Sequence, residues 1–531
     1  MAIKNDQVTI PSGTGSASHW LSGSDVPDDT GVTPTGAAPA GSLYFRHDFA
    51  SKAQGVGPAV FGKAPAGWRP LAGGEVINVK RFGARGDGTV DDSPAFNAAF
   101  VAAREADQYP VGSPPVYAPA GTYLLDSALN MTGGQFNLVG DGMFQTVLVG
   151  NTGTGKCVID MTGAGYSSVT DLSILTVGSG HVAAPPSPST LGVVWNREVS
   201  GGQVLGMEMN RLERVHVSMG TAAPGQNPTV ALYNCGCEVS SIRRCSLRAD
   251  SALVLTLENY LGWESDYVTA APTGVSMTVF EADRDCYLVG LADACVLIRG
   301  AGCIRIDSYL TNQNPTLTPA GAVPPYAVKV IGDTYDLYLG GSVEAYPVSL
   351  GVIGSLVRGL RYHHYHAHGV PGVGGNTQWF SNVYLEGATV LHSTLQPCPP
   401  AGNYNGGAPD HDFMIDGTKS VIGSSVIYVY GTQKIRLDSA SQLIGSLVLT
   451  DSPLAGTQPP NTGACFEILG NPDVRGTQIL APNGARPATF GSAPPAAATV
   501  AAGTSSYDAA SNRPIWSDGT TWRYADGTAV V

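Results

Sequence analysis

The stretch from Val76 to Tyr123 constrains the fold more than any other part of the chain. Val76-Ile77-Asn78-Val79 is a short β-rich run. Gly83, Gly86 and Gly88 follow, and glycine adopts backbone angles that other residues resist, so the chain turns sharply there. Asp91, Asp92 or Ser93 suits a helix N-cap, and Pro94 suits the first turn. Ala95, Phe96, Ala99, Phe100 and Ala103 then form an apolar stripe at helical spacing. Pro110 to Pro115 ends the helix; Val116-Tyr117 opens a strand, and Gly121-Thr122 turns into the next. The spacing predicts a strand, a capped amphipathic helix over about 92–105, and then a succession of short strands.

The ordered pattern Phe82-Gly83-Ala84-x-Gly86-Asp87-Gly88-x-x-Asp91-Asp92 resembles the N-terminal signature of the pectate-lyase-like superfamily, as found in bacteriophage tailspikes. The resemblance implies an all-β chain wound into a right-handed parallel β-helix, with an N-terminal helix plugging its open end. It also implies a homotrimer. It does not name a substrate, because one fold hosts many activities.

Composition agrees with many short strands and tight turns: Gly 68 and Pro 37 are high, and charged residues are only 13%. The net charge of −13 is the opposite of what a nucleic-acid binder needs, and it gives no attraction to anionic membranes. No apolar run reaches the ~18–20 residues of a membrane span. Met1-Ala2-Ile3-Lys4-Asn5-Asp6-Gln7 does not read as a secretory signal, so synthesis in a host cytoplasm and release by lysis are expected. Nine cysteines make an odd set. Cys235, Cys237, Cys245, Cys286, Cys295 and Cys303 lie in apolar runs and read as buried thiols.

Four regions follow. Residues 1–75 are loop-rich and read as a virion-attachment region; 76–480 read as the β-helix; 481–503 as an Ala/Pro-rich linker; and 504–531 as a small β module. In the last, Trp516 and Trp522 flank Asp518-Gly519, a hairpin signal. The Tyr and Trp-Arg elements near both ends are similar to elements at the ends of phage tail fibres. Within the β-helix region a texture recurs: Val169-x-x-Leu172-x-Ile174, Leu212-x-x-Val215-x-Val217, Ile242-x-x-Cys245-x-Leu247 and Phe380-x-x-Val383-x-Leu385. It describes a turn entering a strand with one buried face, at solenoid spacing.

Tailspikes often cut the polysaccharide they bind, so the resemblance implies catalytic carboxylates. Sugar hydrolysis uses two carboxyls ~5–9.5 Å apart. Glu281, Asp283 and Asp285 share a face if that run is extended. Asp307, followed about one coil on by Asp333 and Asp336, resembles in general layout the acidic trio of endoglycosidase tailspikes, and Glu344 comes shortly after. The catalytic candidates are Glu281, Asp283, Asp307, Asp333, Asp336 and Glu344; each also reads as a turn-capping or solvated acid. Tyr260, Trp263 and Tyr267 in one segment, and Tyr335 and Tyr338 in another, present rings on which sugars stack.

Arg361-Tyr362-His363-His364-Tyr365-His366-Ala367-His368 is histidine-rich. Three readings stay open: a solvated or interface strand; a metal held by His366 and His368 about a threefold axis, the form of phage fibres; and a lyase site in which Arg361 with His363 or His364 removes a proton beside a carboxylate. No cofactor is required by the first or the last.

The expectation is a tailspike in a virion tail that binds a bacterial surface polysaccharide and hydrolyses it. Its further partners would be two copies of itself and other tail or baseplate proteins. The alternatives are a non-catalytic receptor-binding fibre and a polysaccharide lyase.

Overall fold

The computed structural model describes residues 76–106, 113–176, 178, 184–196, 209–222, 227–257, 279–292, 294–312, 326–344, 348–363, 381–396, 413–430, 433–450, 468–470 and 472–481, with isolated strands at 8–10, 18–23, 43–46, 59–64, 67–70, 198–200, 203–205, 365–368, 484–487, 505–508 and 513–517, residues 520–524, and residue 529. The chain is a right-handed parallel β-helix that divides into two compact units, the first holding Met1–Ser189 and Arg211–His216, the second the remainder.

In the first unit the helix Ser93–Glu105 buries Ala95, Phe96, Ala99, Phe100 and Ala103, the predicted stripe. Phe96 meets Tyr123 edge-on at 5.2 Å, and Phe100 meets Phe136 at 5.6 Å. Asp92 occupies the N-cap position, but its carboxylate points backward instead, accepting the backbone N–H groups of Arg85 and Gly86 at 2.6 and 3.0 Å. Asp91 takes over capping, accepting from the Ser93 N–H and hydroxyl at 2.9 and 2.6 Å. Gly121 is needed where it stands: a Cβ there would lie 2.8 Å from the Gly86 carbonyl oxygen. Beyond the helix, Gly121–Leu125 pairs in parallel with Thr146–Gly150, which pairs with Ser168–Leu175. A separate mixed sheet in this unit joins five strands from Val8–Ile10 to Gly67–Pro70.

In the second unit each coil contributes one strand to one sheet and one long or two short strands to another. Along the first sheet, Leu191–Asn196, Val230–Cys235, Ser251–Thr256, Ala294–Arg299, Tyr326–Val330, Val348–Ile353, Ser381–Glu386, Phe413–Thr418 and Lys434–Leu437 pair in parallel, each with the next. Leu232, Leu253, Val296, Val328, Leu350, Val383 and Ile415 are in register and fully buried. Each such side chain is worth about 1.5–3 kcal/mol of burial. The described cysteines are free thiols, six of them buried and Cys303 half-buried.

The recurring sequence texture marks corners. Between Val169 and Leu172 the chain bends at Asp171, between Leu212 and Val215 at Arg214, and between Ile242 and Cys245 at Arg244; all three have φ between 51 and 57°. A second column of left-handed residues in the second unit is Cys303, Asp336, Gly359, His392, Ser424, Gly445 and Gly476. The fourth occurrence of the texture does not fit: Ser381–Glu386 is an unbent strand in which Ser381, Asn382 and Val383 are all buried.

Serines complete these corners. The Ser393 Oγ accepts the N–H of Leu360, Ser425 accepts that of Ser393, and Ser446 that of Ser425, at 3.1–3.3 Å. Ser393, Ser425 and Ser446 each donate to the carbonyl two residues back. Cys286 does the same work, its Sγ accepting the Cys245 N–H at 3.4 Å.

Two expected boundaries differ. The run Glu281–Asp285 is not extended: the strand is Phe280–Ala282, and Asp283 starts a turn closed by the Cys286 N–H. A strand, Gly484–Pro487, lies inside the expected linker, folded back on Gln478–Ala481. The C-terminal hairpin is present, with Trp516 opposite Arg523.

Removing one corner hydroxyl leaves a buried N–H without a partner. Ser425→Ala is expected to destabilise the fold by about 1–3 kcal/mol, and Ser425→Cys by less, because a thiol already accepts a neighbouring coil's N–H beside the other column of corners, at Cys286. Denaturant midpoints of the two variants check this ordering.

Candidate active site

Parallel pairing in the second unit puts distant residues on adjacent rungs. Glu281 is in register with Arg305, Arg305 with Tyr338, and Tyr338 with Arg361. Rungs stand about 4.8 Å apart. Along the Ala301–Asn312 strand, Ile304, Ile306 and Leu310 are buried in the core. Arg305, Asp307 and Tyr309 alternate with them and share the other face.

The Arg305 guanidinium lies 4.4 Å from the Tyr338 ring centre, and that of Arg361 5.9 Å from it. Arg305 also reaches Glu281 at 3.7 Å and Asp307 at 3.5 Å, and Arg284 approaches the same Asp307 oxygen at 3.6 Å. The other Asp307 oxygen, Oδ1, is buried and has no hydrogen-bond partner among the described residues. An orphaned buried acceptor costs about 1–3 kcal/mol, and Oδ1 keeps acceptor capacity that no described residue uses.

The next rung above Asp307 is Gly340. A Cβ at Gly340 would sit 2.8 Å from Asp307 Oδ1 and 2.8 Å from the Tyr338 hydroxyl. The Tyr338 ring and the Asp307 carboxylate therefore pack directly over this residue, and only glycine leaves room for them. Pairing of Leu339 with Tyr362 makes His363 the rung beyond Gly340, and its backbone N–H donates to Leu339 at 2.6 Å. The His363 ring lies 5.9 Å from that of Tyr338. Burial, and then the charge of Arg361, hold the His363 pKa below its ordinary value, so the imidazole is neutral at pH 7. On the neighbouring column Tyr287 and Tyr309 stack at 5.0 Å, nearly parallel.

The predicted residues divide accordingly. Glu281, Asp307 and Tyr338 come together here. Asp283 lies alongside but holds the turn, accepting the Arg244 N–H and the Cys286 thiol at 3.2 Å. Asp333 accepts the Leu356 N–H at 3.0 Å, a turn contact. Asp336 forms the left-handed corner and pairs with Arg361 at 2.6 Å. Tyr335 is exposed and in register with Arg358. Tyr260, Trp263 and Tyr267 lie outside the described residues, as do the side chains of Glu344, His366 and His368; the strand Tyr365–His368 places the histidine backbone beside Ser342–Glu344. Among the described residues no three His, Cys, Asp or Glu side chains gather as a metal site, and no helix is long and apolar enough to cross a membrane.

Sequence reasoning missed Arg284, Arg305 and Gly340. Their only signal is register, which unequal coil lengths hide.

The known proteins similar to this chain agree with its beginning. The family model for rhamnogalacturonase A/epimerase, pectate lyase-like, matches residues 76–175. The likeness is of that segment, not of the whole chain, to pectate-lyase-like proteins. Mannuronan C5-epimerase AlgE1 of Azotobacter vinelandii is 37% identical over 102 residues, which are 18% of this chain and 7% of that protein. AlgE3 of the same organism is 38% identical over 102 residues, 18% of this chain and 5% of that protein. The chain thus spans only a small part of these curated relatives. Among solved structures, the A-module of A. vinelandii mannuronan C-5 epimerase AlgE6 matches 76% of this chain and 99% of that one, at 18% identity and a TM-score of 0.30. The enzymatically active domain of bacteriophage CBA120 tailspike protein 2 matches 82% and 59%, at 11% identity and a TM-score of 0.48.

Arg361→Gln is expected to raise the His363 pKa, because it removes one of the two causes that lower it. The imidazole proton then leaves at higher pH than in the parent, which a histidine NMR titration reads directly.

Proposed function

We propose that this protein is a phage tailspike that binds and depolymerises an acidic bacterial surface polysaccharide, with its chemistry on the wall around Tyr338. The observation that carries this reading is the clustering of Arg305, Arg361 and the His363 ring about Tyr338 on adjacent rungs, with Asp307 alongside. In a uronate unit, Arg305 or Arg361 would pair with the sugar carboxylate and make the adjacent C5 proton more acidic. Neutral His363 would take that proton. The C5–H electron pair would form the C4–C5 double bond, the C4–O bond would break, and the Tyr338 hydroxyl would protonate the leaving oxygen. Tyr338 would regain its proton from solvent, and His363 would release one. Asp307 Oδ1 would accept a sugar hydroxyl.

This favours elimination over the hydrolysis expected from sequence. Hydrolysis remains the second reading, favoured by Glu281 and Asp307 lying on either side of Arg305. Tailspike identity, a trimeric assembly and virion-tail location rest on the sequence resemblance and on the Tyr/Trp-Arg elements near both ends. A non-catalytic fibre is the reading to be excluded by activity.

The test is product chemistry on purified capsular or exopolysaccharide. Elimination yields an unsaturated, ultraviolet-absorbing uronate end at each cut, whereas hydrolysis yields saturated ends only. Tyr338→Phe and His363→Ala are each expected to lower turnover at least about 100-fold, within the range of general acid–base catalysis, with the fold intact. Gly340→Ala should do the same, because its Cβ would push the Asp307 carboxylate and the Tyr338 ring out of place. Full activity in all three variants overturns the site.

The pH profile follows from the His363 shift. Its folded pKa lies below the ordinary value of 6.5, so the neutral base persists to lower pH than a free imidazole. Activity is expected to fall as pH drops through that lowered pKa, and in Arg361→Gln the acid limb should move to higher pH. A kcat/KM profile measured below neutrality checks the direction.

A further inference from the structure

A second concavity opens on the other sheet of the second unit, away from the arginine ladder. It has a volume of about 690 Å³, within the usual range of small-ligand sites. Its walls combine apolar Val348 and Leu437 with Tyr384, the Asp416–Arg436 pair, Thr418 and Ser439. The Asp416 side chain is 10% exposed, and Arg436 grips it with two parallel hydrogen bonds, Nε to Oδ1 at 2.7 Å and Nη2 to Oδ2. The guanidinium in turn lies 4.2 Å from the Phe413 ring centre, which fixes its plane. Tyr384 packs at the edge of the cluster of Ala294, Tyr326 and Val348, so its ring is fixed as well.

We propose that this cleft binds a neutral sugar unit. The chemistry follows from three features. A fixed planar carboxylate–guanidinium pair offers donors and acceptors at the spacing of two neighbouring sugar hydroxyls. Each carboxylate oxygen has a second lone pair beyond the one Arg436 uses. The half-buried Tyr384 ring faces the CH-rich side of a pyranose ring. The charge is also selective: Asp416 and Asp438 against Arg436 leave the lining net negative, so an anionic sugar is disfavoured. The arginine ladder, by contrast, suits a carboxylate. The inference rests on the reading that the chain handles a polysaccharide, and assigns this cleft a holding role apart from the chemistry.

Binding is tested by saturation-transfer NMR and calorimetry on the full chain. The probes are neutral tetrasaccharides of glucose, galactose, mannose and rhamnose, with tetramannuronate as the anionic control. At least one neutral probe should bind, with affinity reduced tenfold or more in Tyr384→Ala and in Ser439→Trp. The second variant changes an exposed residue at the rim, so it blocks the cleft without disturbing the core. Tyr338→Phe should bind the neutral probe unchanged while losing turnover, which separates failure of this site from failure of the catalytic reading. Binding of none of the neutral probes overturns the proposal. So does binding that survives Ser439→Trp, or a stronger response to tetramannuronate that this variant removes.

Discussion

The left-handed corner is the constraint on which the second unit depends. A parallel β-helix must turn its chain in each coil without breaking the register of the strands on either side. A single residue at φ near +50 to +70° does this, and its neighbours on the coils before and after must do the same. For a side chain other than glycine this conformation costs about 1–2 kcal/mol. Yet Cys303, Asp336, His392 and Ser424 adopt it in the same column as Gly359, Gly445 and Gly476. What repays the cost is continuity. The N–H of Gly359 donates to Leu391, that of His392 to Gly423, that of Ser424 to Ile444 and that of Gly445 to Arg475. A slip at one corner would break bonds on both sides, and the serine column beside it would lose its acceptors as well.

That rigidity makes the site possible. Glu281, Arg305, Tyr338 and Arg361 come from different coils and share no local motif, yet register sets them side by side. Asp336, the corner residue, meets Arg361 across one rung, so the element that shapes the backbone also orients a functional side chain. An exposed pair of this kind adds little stability. Its effect is to hold the guanidinium near the Tyr338 ring. Gly340 contributes in the opposite way: lacking a Cβ, it lets the Tyr338 ring and the Asp307 carboxylate pack against its backbone.

The architecture was legible because it rests on local chemistry. The Gly83–Asp92 turn, the stripe from Ala95 to Ala103 and the φ-x-x-φ-x-φ texture are each written within a few residues, and the structure realises them as a packed helix and as corners. The texture was read as a turn entering a strand, and its two middle positions prove to contain the left-handed residue. The same rule explains its failure at Phe380, where apolar spacing matches but Ser381 and Asn382 are simply buried in a straight strand. The site was only half legible. Glu281, Asp307 and Tyr338 stood out as acids and an aromatic, and Arg361 and His363 as part of a histidine-rich run. Arg305 and Gly340 carry no local signal; they matter only through what lies one rung away.

The acids show why composition alone misleads about chemistry on this fold. Asp283, Asp333 and Asp336 look equivalent to Asp307 in the sequence, and all four lie at or near bends. Asp283 and Asp333 accept backbone N–H groups, and Asp336 sits at a corner against a guanidinium, so each has a structural partner. Asp307 differs in one atom: its Oδ2 faces two arginines, and its buried Oδ1 accepts from no described residue. A buried acceptor left in that state is a standing cost to the fold. Backbone N–H groups account for the Asp283 and Asp333 carboxylates and a guanidinium for that of Asp336, whereas among the described residues one oxygen of Asp307 has no such account.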